Sequence, residues 1–591
     1  MATSVEAGSA ISQRRWIPVH AAIYCQEILR HIFSYYADVP SPAKQHGPFG
    51  PNLKTQGATL ANLARTCRAF SEPALDTLWR RMDRLAPFIF VFSCAEEVTS
   101  DLFGLPEYRL RGEASEAEWN RFLKYTRLVR ELYLRPFLGY QQLSDGSMRY
   151  LLERLEGRPL FPRLQVLHSL DVSHGGFDRR SALLYSGLRV LSLSMMFHFR
   201  QPTSDVIPRA LETVHTASPE LTTLILAVEE GQDIEIGVDA LATIVSFRCL
   251  RELHLRRTLY LNYASLVQLA NLELLERVSA GLRFDDAPPS HTACFRAVHD
   301  LDLRGSSEAL TAFFAHFTIP GLQTLAINPT VHDLDVILSS AMADLFDRVP
   351  RTITSLLLEQ GWMSNRDAPN LSTQTPTLVD MLQPLLQFRL LHRVEINFEY
   401  LPPVDDGCIK SMLEAWPNLT HLAIAPGRPY PSETFRLPTM NSLVLAATTY
   451  PKLEQLHLPL TDVSNVHILL LQQESFPGHS LKAVSLAPKC REDNDYIVRQ
   501  IACLVDRLFP HLEFPLQSAW NYCRQWRAVK THLVCMSAGR KHASLRELLE
   551  RGRVVCMCAC RGPEGINQVP DFHVHVTDKI IPVATSENWR L

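Results

Sequence analysis

One short pattern recurs along this chain and limits what it can fold into. An aliphatic residue is followed by two variable residues, a second aliphatic, one variable residue and a third aliphatic. The pattern stands in VRELYL, LRVLSLS, LTTLILA, LRELHLR, VHDLDLR, LQTLAIN, ITSLLLE, LHRVEIN, LTHLAIA, LEQLHLP and LKAVSLA. Their first residues, the anchors, are Val129, Leu188, Leu221, Leu250, Val298, Leu322, Ile353, Leu391, Leu419, Leu453 and Leu481. LQVLHS at Leu164 is a weaker copy whose last aliphatic is displaced to Leu170, and LELLERV near Leu272 is a degraded one. In a chain this rich in Leu, Ile and Val, about eight matches arise by chance. The upstream context decides more. Pro162, Pro219, Pro320, Pro417 and Pro451 each stand two residues before an anchor. A large apolar residue often stands three before: Phe161, Phe247, Phe295, Ile319, Phe388, Trp416 and Tyr450. Coincidental matches share no such register.

The physical reading is a helix that ends at the proline, followed by a short strand. The second and third aliphatics share one face of that strand. The residue between them points the other way: His254, Asp302, Ala326, Glu395, Ala423 and His457. Most steps between anchors span roughly 24 to 38 residues, room for a strand, a turn and one helix. TLVDMLQPLLQF and NYASLVQLANLEL are such helices. One unit cannot bury its own apolar face, but a stack can.

Composition sets the remaining bounds. With 591 residues the chain exceeds what one core usually serves. Hydrophobic residues at 46% and charged residues at 20% are those of a globular protein. Lys plus Arg number 59 and Asp plus Glu 62, so the net charge of -3 gives no general attraction to nucleic acid or to an anionic membrane. The 13 cysteines are odd in number and scattered, which argues against a disulfide framework and for a reducing compartment. Residues 1–15 lack the apolar run of a signal peptide, and no stretch of about 18 apolar residues occurs. The expectation is an intracellular protein, in cytoplasm or nucleus.

Before the repeats lies a helical segment. Ile23, Ile28, Leu29, Ile32, Phe33 and Tyr36 fall at helical spacing and define one apolar face. Prolines and glycines from Pro40 to Pro51 make residues 38–56 a loop. A second helix is expected over residues 57–69, with Leu60, Leu63, Ala64 and Cys67 on one side. A third starts at Pro73 and carries Ala74, Leu75, Leu78, Trp79 and Met82. So short a unit holds more apolar residues than one seam needs, which leaves some for a partner or for the next domain.

CQEILRHIFSYY and NLARTCRAFSEPALDTLWRRM resemble a fungal F-box domain. Glu27, Ile28, Leu29, Ile32 and Phe33 match that family's first helix. Leu63, Ala64, Thr66, Cys67, Arg68 and Phe70 match its second piece, and Ala74, Leu75, Leu78 and Trp79 its closing one. Gln26 replaces the usual proline before the glutamate, and the loop after the first helix is long. The resemblance implies that the segment docks a Skp1-like adaptor and through it a cullin complex. It assigns adaptor binding to Glu27, Ile28, Leu29, Ile32, Phe33, Leu63, Phe70, Leu75, Leu78 and Trp79. The repeats resemble the irregular leucine-rich repeats that follow F-boxes in many proteins. They lack a regular asparagine and vary in length.

The expected fold is therefore α+β then α/β: a short helical F-box-like segment, then a curved leucine-rich-repeat-like solenoid of parallel strands backed by helices. The expected domains are a disordered tail over 1–16, the F-box-like unit over 17–82 and a linker or capping region over 83–125. An irregular repeat array over 126–510 and a C-terminal cap and tail over 511–591 complete the chain. In the linker, APFIFVF reads equally as helix or strand.

No catalytic, cofactor-binding or metal site is expected, since no G-x-S-x-G, H-E-x-x-H, Walker or dinucleotide pattern stands in context. Asp405 and Asp406 read as solvated turn residues, and His421 and His457 as packing or rim residues. Cys556, Cys558 and Cys560 alternate along VVCMCACR and read as a packed terminal strand rather than a soft-metal site, even with Cys523, Cys535, His573 and His575 nearby in sequence. The function expected is recruitment of an unknown protein target to a ubiquitin ligase, without nucleic acid or membrane as partner. The alternatives are a repeat scaffold without a ligase and an enzyme on an unrecognised α/β fold.

Overall fold

The computed structural model describes residues 25–37, 52–99, 106–134, 142–172, 177, 181–196, 206–230, 234–329, 343–359, 377–398, 400–425, 428–429, 437–471, 479, 481–489, 495–513, 524–541, 573–576 and 579–582. They fall into two compact units. One comprises Met1–Pro403 and Glu414–Leu419, the other Val404–Leu413 and Thr420–Leu591.

The first unit opens with three helices, α1 (Gln26–Ala37), α2 (Asn52–Thr66) and α3 (Arg68–Arg80). Two boundaries differ from expectation. The helix-breaking influence of Pro51 ends at Pro51 itself, so α2 begins at Asn52 inside the expected loop. Cys67, at φ -158° and ψ 164°, breaks the chain between α2 and α3. The third helix therefore starts five residues before Pro73, which lies inside it instead of opening it.

The end of α3 runs straight into a strand. Arg81–Met82 is the edge of a parallel sheet that continues through Glu131–Tyr133, Val166–Asp171, Val190–Met196, Thr223–Glu230, Glu252–Arg257, Arg277–Leu282, Asp300–Gly305, Thr324–Pro329, Ser355–Glu359 and Arg393–Asn397. Helices fill many of the connections, including Val206–Ala217, Val238–Ser246, Tyr263–Leu269 and Ser307–His316. Several start on a side-chain cap, as where Asn262 accepts from Ser265 N and Ser306 from Ala309 N. The result is a solenoid-like stack of β-α units.

The register explains the sequence pattern. The second aliphatics face one another strand by strand: Leu132, Leu167, Leu191, Leu224, Leu253, Val278, Leu301, Leu325, Leu356 and Val394. All are buried, as are the anchors before them. Each such side chain contributes about 1.5–3 kcal/mol of burial, so the ladder is the main cohesive element of the unit. The upstream prolines and aromatics also have a defined place. The anchor N–H donates to the carbonyl three residues back, as from Leu164 to Phe161, Leu250 to Phe247, Leu322 to Ile319 and Leu391 to Phe388. This is a tight turn, and a proline two before the anchor occupies its second position, where its fixed φ fits and no N–H is required.

The two irregular copies have clear causes. Leu170 is buried and pairs with Leu193 because the strand bulges at Ser169, whose φ is 59°. The degraded copy is anchored at Leu275, not near Leu272: Leu275, Val278 and Ala280 are its three buried positions. An alanine in third place hid it. Gly281 follows, where a Cβ would lie 2.7 Å from the Leu259 carbonyl oxygen, so only glycine admits the short strand Leu259–Leu261 alongside.

APFIFVF forms a one-turn helix, Ala86–Ile89, followed by turns. The next helix, Glu116–Thr126, begins with a capping box in which Ser115 and Glu118 bond reciprocally. Glu118 also accepts from Ser93 N, and these bonds, with that from Ser93 foremost, lower its pKa to about 2.

The second unit has parallel strands His421–Ile424, Gln455–Asp462 and Ala483–Lys489, with helices Asn441–Thr449, Val466–Leu471, Asp495–Leu508 and Arg524–Lys541. Here the expectation of solvated acids is corrected. Asp406 accepts from Thr439 N at 2.8 Å, Thr439 Oγ1 at 2.7 Å and Ser442 Oγ, and so fastens the start of Asn441–Thr449. Asp405 accepts from Cys408 N at 2.8 Å. His573–Val576 pairs antiparallel with Lys579–Pro582. Cys523, Cys556, Cys558, Cys560 and Trp520 lie outside the described residues.

Candidate protein-docking surface

The first helix has two apolar faces, not one. Leu29 and Phe33 are 3% and 4% exposed and share a core with Leu60 and Ala74, against which Leu63, Ala64, Phe70 and Leu78 pack. The Phe33 and Phe70 rings meet edge to face at 5.8 Å. A separate ridge, about 100° around the helix, is formed by Ile28, Ile32 and Tyr35, 43%, 46% and 68% exposed, at the i, i+4, i+7 spacing of one helical stripe. Glu27 is exposed at its start. Ile23 and the Tyr36 side chain lie outside the described residues.

The helical spacing puts Tyr36 among the apolar positions, whereas it is Tyr35 that stands exposed beside Ile32. The signal for Tyr35 was its place three residues after Ile32. Tyr35 Oη also lies 3.2 Å from His31 Nε2, which anchors the ring on the helix.

Trp79 lies elsewhere. It stacks on Tyr125 of the helix Glu116–Thr126 and touches Phe88 of the helix Ala86–Ile89, so it faces the two helices that follow. Arg81, two residues on, pairs with Glu131 at 2.7 Å. Leu75 is partly buried on the same helix. The ten residues thus separate by environment. Glu27, Ile28 and Ile32 are presented outward. Leu29, Phe33, Leu63, Phe70 and Leu78 hold the helices together, and Trp79 joins α3 to the helices Ala86–Ile89 and Glu116–Thr126.

A second surface is the sheet face opposite the leucine ladder. One row of it runs His254, Ser279, Asp302, Ala326, Leu357, Glu395. The neighbouring row is an ion-pair chain: Glu252 lies 3.1 Å from Arg277, which lies 3.5 Å from Asp300. A hydrogen bond from His254, reinforced by Arg277, holds the Glu252 carboxyl below its usual range, while burial raises that of Asp300. Ser279 Oγ donates to Asp302 at 2.6 Å. Arg304, its pKa lowered by burial, donates to the Leu255 carbonyl. Near the helices, His168 stacks on Tyr133 at 4.6 Å; burial and then the charge of Arg256 lower its pKa to about 4. Charges of both signs alternate, which suits a protein partner better than a polyanion. Among the described residues, no group of three His, Cys, Asp or Glu is placed to hold a metal ion, and no helix is long and apolar enough to cross a membrane.

Residues 26–85 match the F-box-like family. The match spans α1, α2, α3 and the first strand. This match supports a general adaptor role for the segment. No curated protein matches the chain. Among solved structures, a chain of a TLR13–ssRNA13 complex is 14% identical with a TM-score of 0.28; the match covers 61% of this chain and spans 44% of that one. A Bacteroides fragilis protein is 10% identical with a TM-score of 0.25, over 66% of this chain and 86% of that one.

Proposed function

We propose that this protein is the target-recruiting subunit of an intracellular ubiquitin ligase of the Skp1–cullin–F-box type. A Skp1-like adaptor docks on the N-terminal helices, residues 17–82, and brings the cullin complex with it. The leucine-rich-repeat-like array, residues 126–510, holds a protein target on its open sheet face. Ubiquitin transfer is carried out by other subunits, and this chain supplies proximity and geometry.

The observation that carries the reading is the ridge of Ile28, Ile32 and Tyr35. Large apolar side chains stand exposed on a helix that also buries Leu29 and Phe33 in the core, inside the segment that matches the F-box-like family. Such a stripe is the usual form of a helix anchor. Glu27, Ile28 and Ile32 make the contact, with Tyr35 added. Leu29, Phe33, Leu63, Phe70, Leu75, Leu78 and Trp79 set the shape behind it. The test is affinity purification of the full chain from cells with mass spectrometry. A Skp1-like protein and a cullin should co-purify in near-equal amount with the chain.

A second reading is favoured by one observation. Arg81–Met82 extends the repeat sheet directly from α3. On that reading the helices cap an interaction scaffold that has no ligase. Recovery of a stable partner without adaptor or cullin would favour it.

A further inference from the structure

We propose that Gln26 positions α1, and that it does so by satisfying a backbone carbonyl which Pro73 leaves without a donor. In an α-helix each carbonyl accepts from the N–H four residues on. For Ala69 that residue is Pro73, inside α3, and proline has no N–H. The proline ring also crowds the same carbonyl and tilts it off the helix axis. Into this gap Gln26, 43 residues earlier in the chain, donates its side-chain Nε2 at 3.2 Å to Ala69 O.

The amide can take one orientation only. Turned over, its oxygen would face another oxygen. Its Oε1 is buried and has no donor, so the bond to Ala69 is what holds this end of the side chain. A further polar contact between the two helices, Arg30 to Glu72 at 3.7 Å, is exposed and therefore weak. The tie at Gln26 fixes the first turn of α1, and the Phe33–Phe70 contact fixes it two turns later. Two such points set the rotation of the helix about its axis, and hence the direction of Ile28 and Ile32.

This gives a reason for the departure from the F-box pattern. A proline at position 26 would start a helix equally well but would offer Ala69 nothing. Glutamine here is the complement of Pro73. The link from this coupling to adaptor affinity rests on the docking function proposed above; the coupling itself does not.

The experiment is a double-mutant cycle in the full-length chain: Gln26→Glu, which removes the donor at nearly constant size, Pro73→Ala, and the two combined. Alanine at 73 supplies the missing N–H and is a good helix former, so that background folds. Two quantities are read, amide hydrogen exchange at Leu29–Phe33 and affinity for a purified Skp1-like adaptor. Gln26→Glu should speed exchange and weaken the adaptor by about tenfold. In the Pro73→Ala background the same change should alter each by less than about twofold. Equal exchange effects in both backgrounds would overturn the proposal. If exchange shows the coupling while even the unaltered chain fails to bind the adaptor, the positioning of α1 by Gln26 stands and the docking function falls.

Discussion

Trp79 lies flat on Tyr125, their ring centroids 4.5 Å apart and their planes 7° from parallel. Phe88 closes on Trp79 at 5.0 Å, and the chain enters the repeat sheet at Arg81, just past the tryptophan. The last helix of the F-box-like segment thereby packs on the helix Glu116–Thr126, and the chain beyond it pairs with the strand Glu131–Tyr133. Trp79→Ala should cost about 3 kcal/mol of stability in denaturant unfolding. Charged substitutions at Ile28 or Ile32 should cost less than about 0.5 kcal/mol. A similar loss from all three would mean that the ridge is part of the core.

The Tyr133–His168 stack predicts an acid-labile contact. The pKa of His168 is lowered from 6.5 to about 4 in the folded chain. A depressed histidine pKa means that the unfolded state binds the proton more readily. Its contribution is thus fully present above pH 6.5 and is lost as pH falls toward about 4. Unfolding measured across that window should lose stability, and His168→Phe, which keeps the stacking, should flatten the slope. An unchanged slope would show that other groups set it.

Asp406 holds Thr439 and Ser442 through charge-assisted bonds. Asp406→Ala should destabilise the second unit by about 2–3 kcal/mol, and Asp406→Asn by less, because the amide keeps one acceptor. Local unfolding followed by hydrogen exchange in Asn441–Thr449 measures it.

Leu325 and Ala326 are adjacent but point to opposite faces of one strand. Leu325→Ala should cost about 2–5 kcal/mol, while Ala326→Ser should stay within about 0.5 kcal/mol. Comparable costs would contradict the assigned register.

Most of the sheet was legible because burial demands an aliphatic at fixed strand positions, and because the turn before each anchor prefers an aromatic and a proline. The strand at Arg277–Leu282 was displaced in the reading because Ala280 is too small to register as an aliphatic. The edge strand Arg81–Met82 has no pattern at all; it exists because α3 delivers it beside Glu131–Tyr133. For α1 the periodicity marked apolar positions but could not say which were covered. That depends on α2 and α3, which cover Leu29 and Phe33 and leave Ile28 and Ile32. Asp406 was misread because its partners, Thr439 and Ser442, are more than 30 residues away. Such a partnership has no local signature.

On the function proposed above, the α1 ridge docks an adaptor. Its most direct test is titration calorimetry of the full chain with a purified Skp1-like adaptor, comparing the unaltered protein with Ile28→Asp/Ile32→Asp. The unaltered chain should bind stoichiometrically, and the double variant should lose at least about a hundredfold in affinity with an unchanged thermal midpoint. Undiminished binding by a folded double variant, or no binding by the unaltered chain, would contradict it.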